Sequence, residues 1–410
     1  MNKPKIRAKG FENDWEIIDL GVIADVVNDT NSDNTISEVF TNSASLGIIS
    51  QRDYFNHDIA KQDKIHGYSV VSPNDFVYNP RVSVTAPVGP ISKNRLGRPG
   101  AMSPLYTIFR THDINDVFLE HYFKTHYWHK YMRFNGNTGA RFDRFAISLS
   151  NFFKMGVPVP HDMEQSVIAE TFELFDKEIL AAQDKIISLK SLKICHLNRL
   201  FPIGGGKTPP MRIEGFTGEW EVKKLKDFTT RVVRKNSNLE SNRALTISAQ
   251  HGLIEQETFF NSRIASSNLS NYYLLRNGEF AYNKSTSQGY PYGAVKRLDK
   301  YDVGVLSTLY IAFSIDEDKV DSDYLVSYFD THMWHEEIRL RAAEGARNHG
   351  LLNISANDFF DINILIPKTK EEQKAVGQYF KDLNETIRLH EEELERLKSL
   401  KESCLQGMFV

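Results

Sequence analysis

The sequence predicts an α+β protein that contains two copies of one unit, each a globular part followed by a long helix. Three observations support this fold class. The chain repeats itself at a spacing of about 205 residues, short β-rich runs bounded by Gly, Pro and Asn occupy the globular part of each copy, and a heptad pattern follows each globular part. The repeat determines the architecture, because each copy is expected to form the same unit.

The repeat is clearest at the start of each copy, where residues 4–20 align with 209–225 without a gap. The identical pairs are Pro4/Pro209, Arg7/Arg212, Gly10/Gly215, Phe11/Phe216, Trp15/Trp220, Glu16/Glu221 and Leu20/Leu225. Small shifts in register then align THYWH at 125–129 with THMWH at 331–335, and LKSLK at 189–193 with LKSLK at 397–401. Small insertions at loops are what a duplicated domain tolerates best.

The local pattern predicts strands and helices within each globular part. Runs such as 68–71, 76–78 and 303–315 are rich in β-forming residues and lie between turn residues. Helical stretches are expected near 116–134 and at the equivalent 322–340. This mixture predicts an α+β domain in each copy.

After Pro160 and Pro367 the apolar residues recur in steps of four and three, which predicts two heptad helices. The first seam contains Ile168, Phe172, Phe175, Ile179, Ala182, Ile186 and Leu189, and the second contains Val376, Phe380, Leu383, Ile387, His390, Leu394 and Leu397. A helix over 164–200 would be roughly 55 Å long and needs a partner. Because the connection at 201–210 is short, we expect the two helices to form an antiparallel coiled coil, with the globular parts related by a pseudo-two-fold axis at its opposite ends.

Composition excludes several classes of protein. The chain has 41% apolar and 25% charged residues, which is typical of a soluble globular protein. No apolar stretch is long enough for a membrane span and no signal peptide is expected, so we expect a cytoplasmic protein without membrane contact. Cys195 and Cys404 are too few for a disulfide framework or a four-cysteine zinc site. The net charge of −3 means that any nucleic-acid surface must be local.

No constellation typical of an enzyme recurs in both copies. The segment 204–208 (GGGKT) lacks the first glycine of a phosphate-binding loop, since Phe201 occupies that position. The histidine pairs 126/129 and 332/335 have helical spacing but no third metal ligand at matching positions. We therefore expect no catalytic residue, no metal and no cofactor on this chain.

The candidate binding residues lie on polar, basic loops rich in Gly and Pro, at 79–100 and 283–297, where cations and hydroxyls suit contacts to phosphates and base edges. The candidates for DNA contact are Arg81, Ser83, Lys93, Arg95 and Arg98 in the first copy and Lys284, Ser285, Thr286 and Tyr292 in the second. Arg141 and Arg347, placed alike in Gly-Ala-Arg turns, are the strongest candidates for phosphate contact. The alternative for each of these residues is an ordinary solvated turn.

The order of the motifs resembles that of one known family. Each copy begins with Gly-Phe-x-x-x-Trp-Glu, at 10–16 and 215–221. Each globular part ends with Val-Pro or Ile-Pro followed by Glu-Gln, at 159–165 and 366–373, and each heptad helix ends with Leu-Lys-Ser-Leu-Lys. Over nearly the whole chain this arrangement resembles the specificity subunit of type I restriction-modification systems.

The resemblance implies a division into four parts. Residues 1–160 and 204–366 would be two target recognition domains, the second preceded by a linker, while 161–203 would hold the central spacer helix and the start of that linker, and 367–410 the C-terminal spacer helix. Each domain would recognise one part of a bipartite site in double-stranded DNA. The helices would set the spacing and dock two modification subunits, which methylate adenine at N6 with S-adenosylmethionine. Restriction subunits would add translocation and cleavage that use ATP and Mg, and this chain itself would be non-catalytic.

A different class of protein stays open on the residues alone. A duplicated, non-catalytic scaffold could bind proteins or glycans through its globular parts and use the paired helices as a strut. An independent enzyme is disfavoured, since no nucleophile, metal or cofactor constellation recurs.

Overall fold

The computed structural model describes residues 3–55, 62–138, 143–260, 268–342 and 350–410. The chain forms two compact units. Unit 1 consists of Met1–Gln183 together with Glu392–Val410, and unit 2 consists of Asp184–Glu391. The C-terminal segment therefore belongs to the unit formed by the first copy. Each long helix begins in one unit and ends in the other, and the predicted division into four segments stays a prediction.

Unit 1 contains short strands around a helical core. Its strands are β1 (Glu16–Asp19), β2 (Ala24–Val26), β3 (Phe40–Ser43), β4 (Gly47–Ser50), β5 (Ser69–Val71), β6 (Phe76–Tyr78), β7 (Ile91–Lys93), β8 (Gly100–Met102), β9 (Thr107–Thr111), β10 (Asn137–Thr138), β11 (Phe145–Ala146) and β12 (Gly156–Val159). Its helices are α1 (Leu20–Ile23), α2 (Gln51–Phe55), a 3₁₀ helix (Gln62–Gly67), α3 (Asp116–Lys124), α4 (His129–Asn135), α5 (Leu149–Phe153) and the first part of α6 (Asp162–Leu200).

Unit 2 contains a similar series of elements. Its strands are β13 (Glu221–Lys224), β14 (Thr229–Arg231), β15 (Leu245–Ser248), β16 (Gly252–Glu255), β17 (Tyr273–Arg276), β18 (Phe280–Asn283), β19 (Ala294–Arg297), β20 (Val303–Leu306), β21 (Ile311–Ile315) and β22 (Asn363–Ile366). Its helices are a 3₁₀ helix (Leu225–Asp227), α7 (Gln256–Phe260), α8 (Ser322–Phe329), α9 (His335–Arg341), α10 (Ala356–Phe360) and the first part of α11 (Lys370–Gly407).

Six strand pairings of unit 1 have a counterpart in unit 2, whereas β10-β11 has none among the described residues of unit 2. The central antiparallel sheet has the order β2-β9-β6-β7 in unit 1 and β14-β21-β18-β19 in unit 2. The two-stranded pairs β1-β12, β3-β4 and β5-β8 correspond to β13-β22, β15-β16 and β17-β20. Strands therefore accompany helices in both units, and the mixed α/β character expected from the sequence is confirmed.

One part of the helix prediction is wrong. The stretches expected at 116–134 and 322–340 are each broken into two helices, α3 and α4 in unit 1 and α8 and α9 in unit 2. Thr125 Oγ1 donates to the Tyr122 carbonyl at 2.7 Å, and Trp128 Nε1 donates to the Thr125 carbonyl at 2.9 Å. These side chains take carbonyls that a continuing helix would use, so the Thr-His-x-Trp motif ends the first helix. His126 consequently lies in a turn rather than on a helix.

The core of each unit is completed by the end of the long helix that begins in the other unit. In unit 1, Leu405, Met408 and Phe409 are buried with Trp15 and Phe172. In unit 2, Leu200 and Phe201 are buried with Trp220, Tyr324 and Phe380. Burial of such apolar side chains is the main stabilising contribution to folding.

Within each unit the two helix segments run in opposite directions. In unit 1, Phe172 stacks on Phe409 and Asp176 pairs with Lys401. In unit 2, Lys190 Nζ lies 2.6 Å from Glu391 Oε1, whereas Phe201 packs against Phe380. In each unit, residues with higher numbers in α6 contact residues with lower numbers in α11. All predicted seam residues are buried or half-buried.

A pair formed by a half-buried arginine and a buried glutamate connects the start of each copy to its long helix. Arg7 donates from Nε and Nη2 to the two carboxylate oxygens of Glu164, at 2.7 and 2.8 Å. Arg212 makes the same fork with Glu372, which also accepts from Trp220 Nε1 at 3.0 Å. Both residues of the Glu-Gln motif thus have a structural role, because the neighbouring Gln373 bonds to the backbone of Asp321 and Pro367.

Among the described residues, no helix has the length and apolar character needed to cross a bilayer.

We predict that Glu372→Ala destabilises the protein by about 1 to 3 kcal/mol, because it leaves the indole N–H of buried Trp220 without its acceptor and the half-buried guanidinium of Arg212 without its carboxylate. The matched control is Glu385→Ala, which removes an exposed carboxylate paired with Arg388 on the same helix. Exposed pairs contribute about 1 kcal/mol or less. Differential scanning calorimetry of both variants measures the effect, and equal unfolding temperatures would contradict the prediction.

Candidate nucleic-acid interface

The loops after β6 and β18, residues 79–90 and 283–294, are built on the same backbone frame. Asn79 Oδ1 accepts from the Arg81 amide at 3.0 Å, and Asn283 Oδ1 accepts from the Ser285 amide at 2.9 Å. This side-chain turn satisfies a backbone donor and sets the direction in which each loop leaves its strand. We call these segments loop 79–90 and loop 283–294.

A glycine with a left-handed backbone closes each loop. Gly89 has φ +84° and Gly293 has φ +78°. A Cβ atom on Gly89 would lie 2.0 Å from the Asn79 carbonyl oxygen, and one on Gly293 would lie 2.0 Å from that of Asn283. No side chain fits at either position, so the two ends of each loop meet at a glycine in both units.

A buried tyrosine supports each loop from beneath. Tyr78 Oη donates to the Val88 carbonyl at 2.9 Å, and Tyr282 Oη donates to the Tyr292 carbonyl at 2.8 Å. Burial raises the pKa of both phenols, so they remain protonated donors at neutral pH. The loops are therefore held by the core rather than free.

At its outer end each loop makes the same tight turn. In unit 1, Ser83 and Ala86 exchange two backbone hydrogen bonds, of 3.0 and 3.2 Å. In unit 2, Ser287 and Tyr290 exchange two, of 3.2 and 2.9 Å. The two residues at the tip differ between the units: they are 84–85 (Val-Thr) in one and 288–289 (Gln-Gly) in the other.

Each loop is hydrogen-bonded to a segment that follows one of the arginines predicted to contact phosphate. The Val82 amide donates to the Asp143 carbonyl at 3.1 Å, and the Thr286 amide donates to the Gly350 carbonyl at 2.6 Å. Arg141 and Arg347 directly precede these bracing segments in the chain but lie outside the described residues. Their predicted phosphate contacts stay predictions.

In unit 2 a cleft of about 380 Å³ opens beside loop 283–294. One wall is the turn between β15 and β16 and the other is the loop itself. The lining residues are Ile247, Ser248, Ala249, Gln250, His251, Phe259, Asn283, Ser285, Ser287, Gln288, Tyr290, Gly293 and Ala294. As far as the chain is described, this lining offers hydroxyl, amide and aromatic groups and neither ammonium, guanidinium nor carboxylate groups.

The cationic candidates of unit 1 fall into two groups. Arg81 is exposed on loop 79–90, together with Ser83. Lys93, Arg95 and Arg98 are instead engaged with carboxylates: Lys93 with Asp116, Arg95 with Glu120 and Arg98 with Glu38, each at 2.7 Å. Lys93 is buried, and its ammonium joins β7 to the first turn of α3, which favours a structural role. Arg95 and Arg98 keep exposed surface beside their partners.

The candidates of unit 2 lie together on one loop. Ser285 is exposed, and Lys284 and Thr286 are half-buried. Thr286 Oγ1 donates to the Gly350 carbonyl at 3.1 Å, while the Tyr292 ring packs 5.0 Å from that of His335. Burial, with a smaller contribution from His332, lowers the pKa of His335 to about 4. His335 is therefore neutral at physiological pH and supplies no positive charge to a phosphate.

The same histidines form no metal centre with other ligands. His332 Nδ1 lies 3.3 Å from His335 Nδ1. In the part of the chain that the structure describes, no group of three or more His, Cys, Asp and Glu side chains is arranged to hold a metal ion. Cys195 and Cys404 are both free thiols.

Sequence reasoning missed the residues at the tips of the turns. Val84, Thr85 and Gln288 were not among the candidates, and Val84 and Gln288 carry neither a positive charge nor a hydroxyl group. The repeat itself carries the signal: 83–89 (SVTAPVG) aligns with 287–293 (SQGYPYG), so that Ser-x-x-x-Pro-x-Gly is shared and the tips are not. Residues that differ within a shared frame are candidates for different binding specificity.

No family model matches this chain, and no characterised protein matches it in sequence. Solved structures do match it in fold. The S subunit of a type I restriction-modification system from M. genitalium is similar over 100% of this chain and 99% of its own, with a TM-score of 0.58 and 12% sequence identity. A chain from a structure on the assembly and conformational transition of the type I R-M system matches over 96% of this chain and 97% of its own, with a TM-score of 0.52 and 13% identity. The HsdS subunit from Thermoanaerobacter tengcongensis also matches, over 96% of each chain, with a TM-score of 0.47 and 14% identity.

The fold expected from the motif order is therefore found in a solved S subunit of a type I restriction-modification system over nearly the whole chain. At these identities the comparison establishes the fold shared with the M. genitalium S subunit. What this chain binds is argued from its own residues.

We predict that Gly293→Ala destabilises unit 2 more than Gly252→Ala. Both glycines have φ +78°, so both substitutions place an alanine in the left-handed region, which costs about 1 kcal/mol. Only at Gly293 does the new Cβ also collide with a carbonyl oxygen, whereas nothing lies within 4 Å at Gly252. Calorimetry of the two variants separates the steric effect from the backbone effect. Equal unfolding temperatures would contradict the prediction, because loop 283–294 would then accommodate the Cβ atom without loss of stability.

Proposed function

We propose that the chain is the DNA sequence-specificity subunit of a type I restriction-modification complex, in which each unit recognises one part of a bipartite site in double-stranded DNA. The observation that carries this proposal is the pair of loops that share a frame and differ at their tips. Two different base sequences can be recognised by one framework only if the exposed residues differ and their supports do not. The fold shared with the M. genitalium S subunit supports the same conclusion.

The two units are the target recognition domains of this proposal, and α6 and α11 are its spacer. The helices pair as an antiparallel coiled coil, and the units are related by a pseudo-two-fold axis. The buried seam and the opposite directions of the helix segments within each unit support this arrangement. With 39 residues, α6 is about 59 Å long at 1.5 Å per residue. One turn of B-DNA is about 34 to 36 Å, so a helix pair of this length can separate two half-sites by a turn or more.

The chain acts with partners in this proposal. Two modification subunits dock on the helices and methylate adenine at N6 with S-adenosylmethionine, and restriction subunits supply cleavage that depends on ATP and Mg. This chain then determines which DNA sequence is recognised, and its partners carry out methylation and cleavage. The complex acts in the cytoplasm. Support comes from a matching chain that belongs to a structure on complex assembly in a type I system.

The test is co-expression of this chain with the modification subunit of its host, followed by affinity purification and single-molecule methylome sequencing. We expect a stable complex and methylated adenines in one bipartite motif that disappear when this chain is omitted. Purification without a methyltransferase, or methylation that does not depend on this chain, would overturn the proposal. Capture of a protein or glycan ligand by the two units, without DNA methylation, would favour the scaffold alternative.

We predict that a heptad inserted into or deleted from α6 between 164 and 200, with the matching change in α11, alters the gap between the half-sites and leaves their sequences unchanged. One heptad adds or removes about 10 Å of helix, or about three base pairs. The methylome of cells that carry each variant gives both quantities. The matched control is a substitution of exposed Lys185 by Gln, which keeps the helix length. An unchanged gap with altered half-site sequences would contradict the prediction.

A further inference from the structure

We propose that the two turn tips, 84–85 and 288–289, are specificity-determining: Val84 contacts the 5-methyl group of a thymine in one half-site, and the amide of Gln288 bonds to an adenine in the other. The proposal rests on the proposed function, since it names how the two half-sites are told apart. It assigns one apolar and one hydrogen-bonding contact to equivalent positions of the repeat.

Val84 is placed for contact with an external partner. Its relative exposure is 101%, the highest among the exposed large apolar residues of the described chain. Water surrounds the whole side chain, so its burial against an apolar group is favourable. A β-branched residue also has few rotamers, and little conformational entropy is lost when it is held in a contact.

The turn that carries Val84 is already ordered. Besides the two backbone hydrogen bonds between Ser83 and Ala86, Ser83 Oγ accepts from the Ala86 amide at 3.0 Å and lies 3.3 Å from Thr85 Oγ1. A preformed turn binds without the cost of ordering a flexible loop. In the major groove, the thymine methyl is the one apolar group on a base edge, and it is read by apolar side chains.

Gln288 occupies the equivalent position in unit 2 with different chemistry. Its turn contains Gly289 at φ +81°, so the tip is fixed by the backbone as well. Gln288 is exposed and lines the neutral cleft beside loop 283–294. A glutamine amide offers one donor and one acceptor, which match N7 and the N6 amino group of adenine. Guanine is most often read by Arg or Lys, and the described lining of this cleft contains neither.

The fold does not require Val84 or Gln288 in particular. The turn is closed by backbone bonds and by the Ser, Pro and Gly that both units share, and its first tip position accommodates Val in one unit and Gln in the other. Substitution of Val84 or Gln288 is therefore expected to change recognition and not stability. This separates a recognition role from a structural one.

The test uses the complex of this chain with its modification subunit and synthetic duplexes that carry the methylated motif. Deoxyuridine replaces each thymine in turn, which removes only the 5-methyl group, and 7-deazaadenine replaces each adenine, which removes only N7. We expect one deoxyuridine to lower the methylation rate of the wild-type complex about fivefold and one 7-deazaadenine, in the other half-site, to lower it about tenfold. With Val84→Ala the first effect disappears, and with Gln288→Ala the second disappears.

The matched controls are Val22→Ala, an exposed valine on α1, and Asn238→Ala, an exposed amide residue between β14 and β15. Both should keep the full sensitivity to the base analogues, and all four variants should unfold at the wild-type temperature. Sensitivity that persists in Val84→Ala and Gln288→Ala would overturn the proposal. Loss of the co-purified modification subunit in Val84→Ala would also overturn it, because Val84 would then belong to a protein interface. If the wild-type complex neither binds nor methylates DNA, the proposed function itself fails, which is a distinct outcome from a methylating complex that ignores the analogues.

Discussion

In each unit, a half-buried arginine and a buried glutamate join the segment that enters the globular part to the helix that leaves it. Arg212 and Glu372 meet through a two-bond fork, and the indole of Trp220 shares the same carboxylate. A charge placed there without its partner would be costly, so this fork fixes where the long helix begins. Strand β22, which pairs with β13 at the start of the copy, ends at Ile366, shortly before that helix begins at Lys370.

Much of the fold could be predicted because it is periodic or repeated. The seam of α6 is visible in Phe172 and Ile186, and the strands β6 and β18 are visible as matching aromatic runs. The break after α3 could not be predicted from periodicity, since apolar residues continue through it. It depends on hydrogen bonds from Thr125 and Trp128 to carbonyls, and such bonds are set by geometry that composition does not reveal.

The candidate site was predicted less completely than the fold. Positive charge on a loop identifies Arg81 and Arg98 equally well, but it does not show that Glu38 pairs with Arg98 from a distant part of the chain. Val84 carries neither a charge nor a hydroxyl group, so a search for basic and hydroxyl residues does not select it. Two observations distinguish it: its side chain is fully exposed, and the equivalent position of the other copy holds a different residue, Gln288.

The completion of each core by the far end of the other copy's helix couples the two halves of the chain thermodynamically. Loss of structure in unit 1 would expose Phe409 and release the last turns of α11, while the first turns of that helix remain part of unit 2. Neither sequence copy contains all the residues of the hydrophobic core that it forms. The molecule is therefore expected to melt as a single cooperative system, and a fragment limited to one copy would expose its own aromatic residue, Phe201 or Phe409, to water.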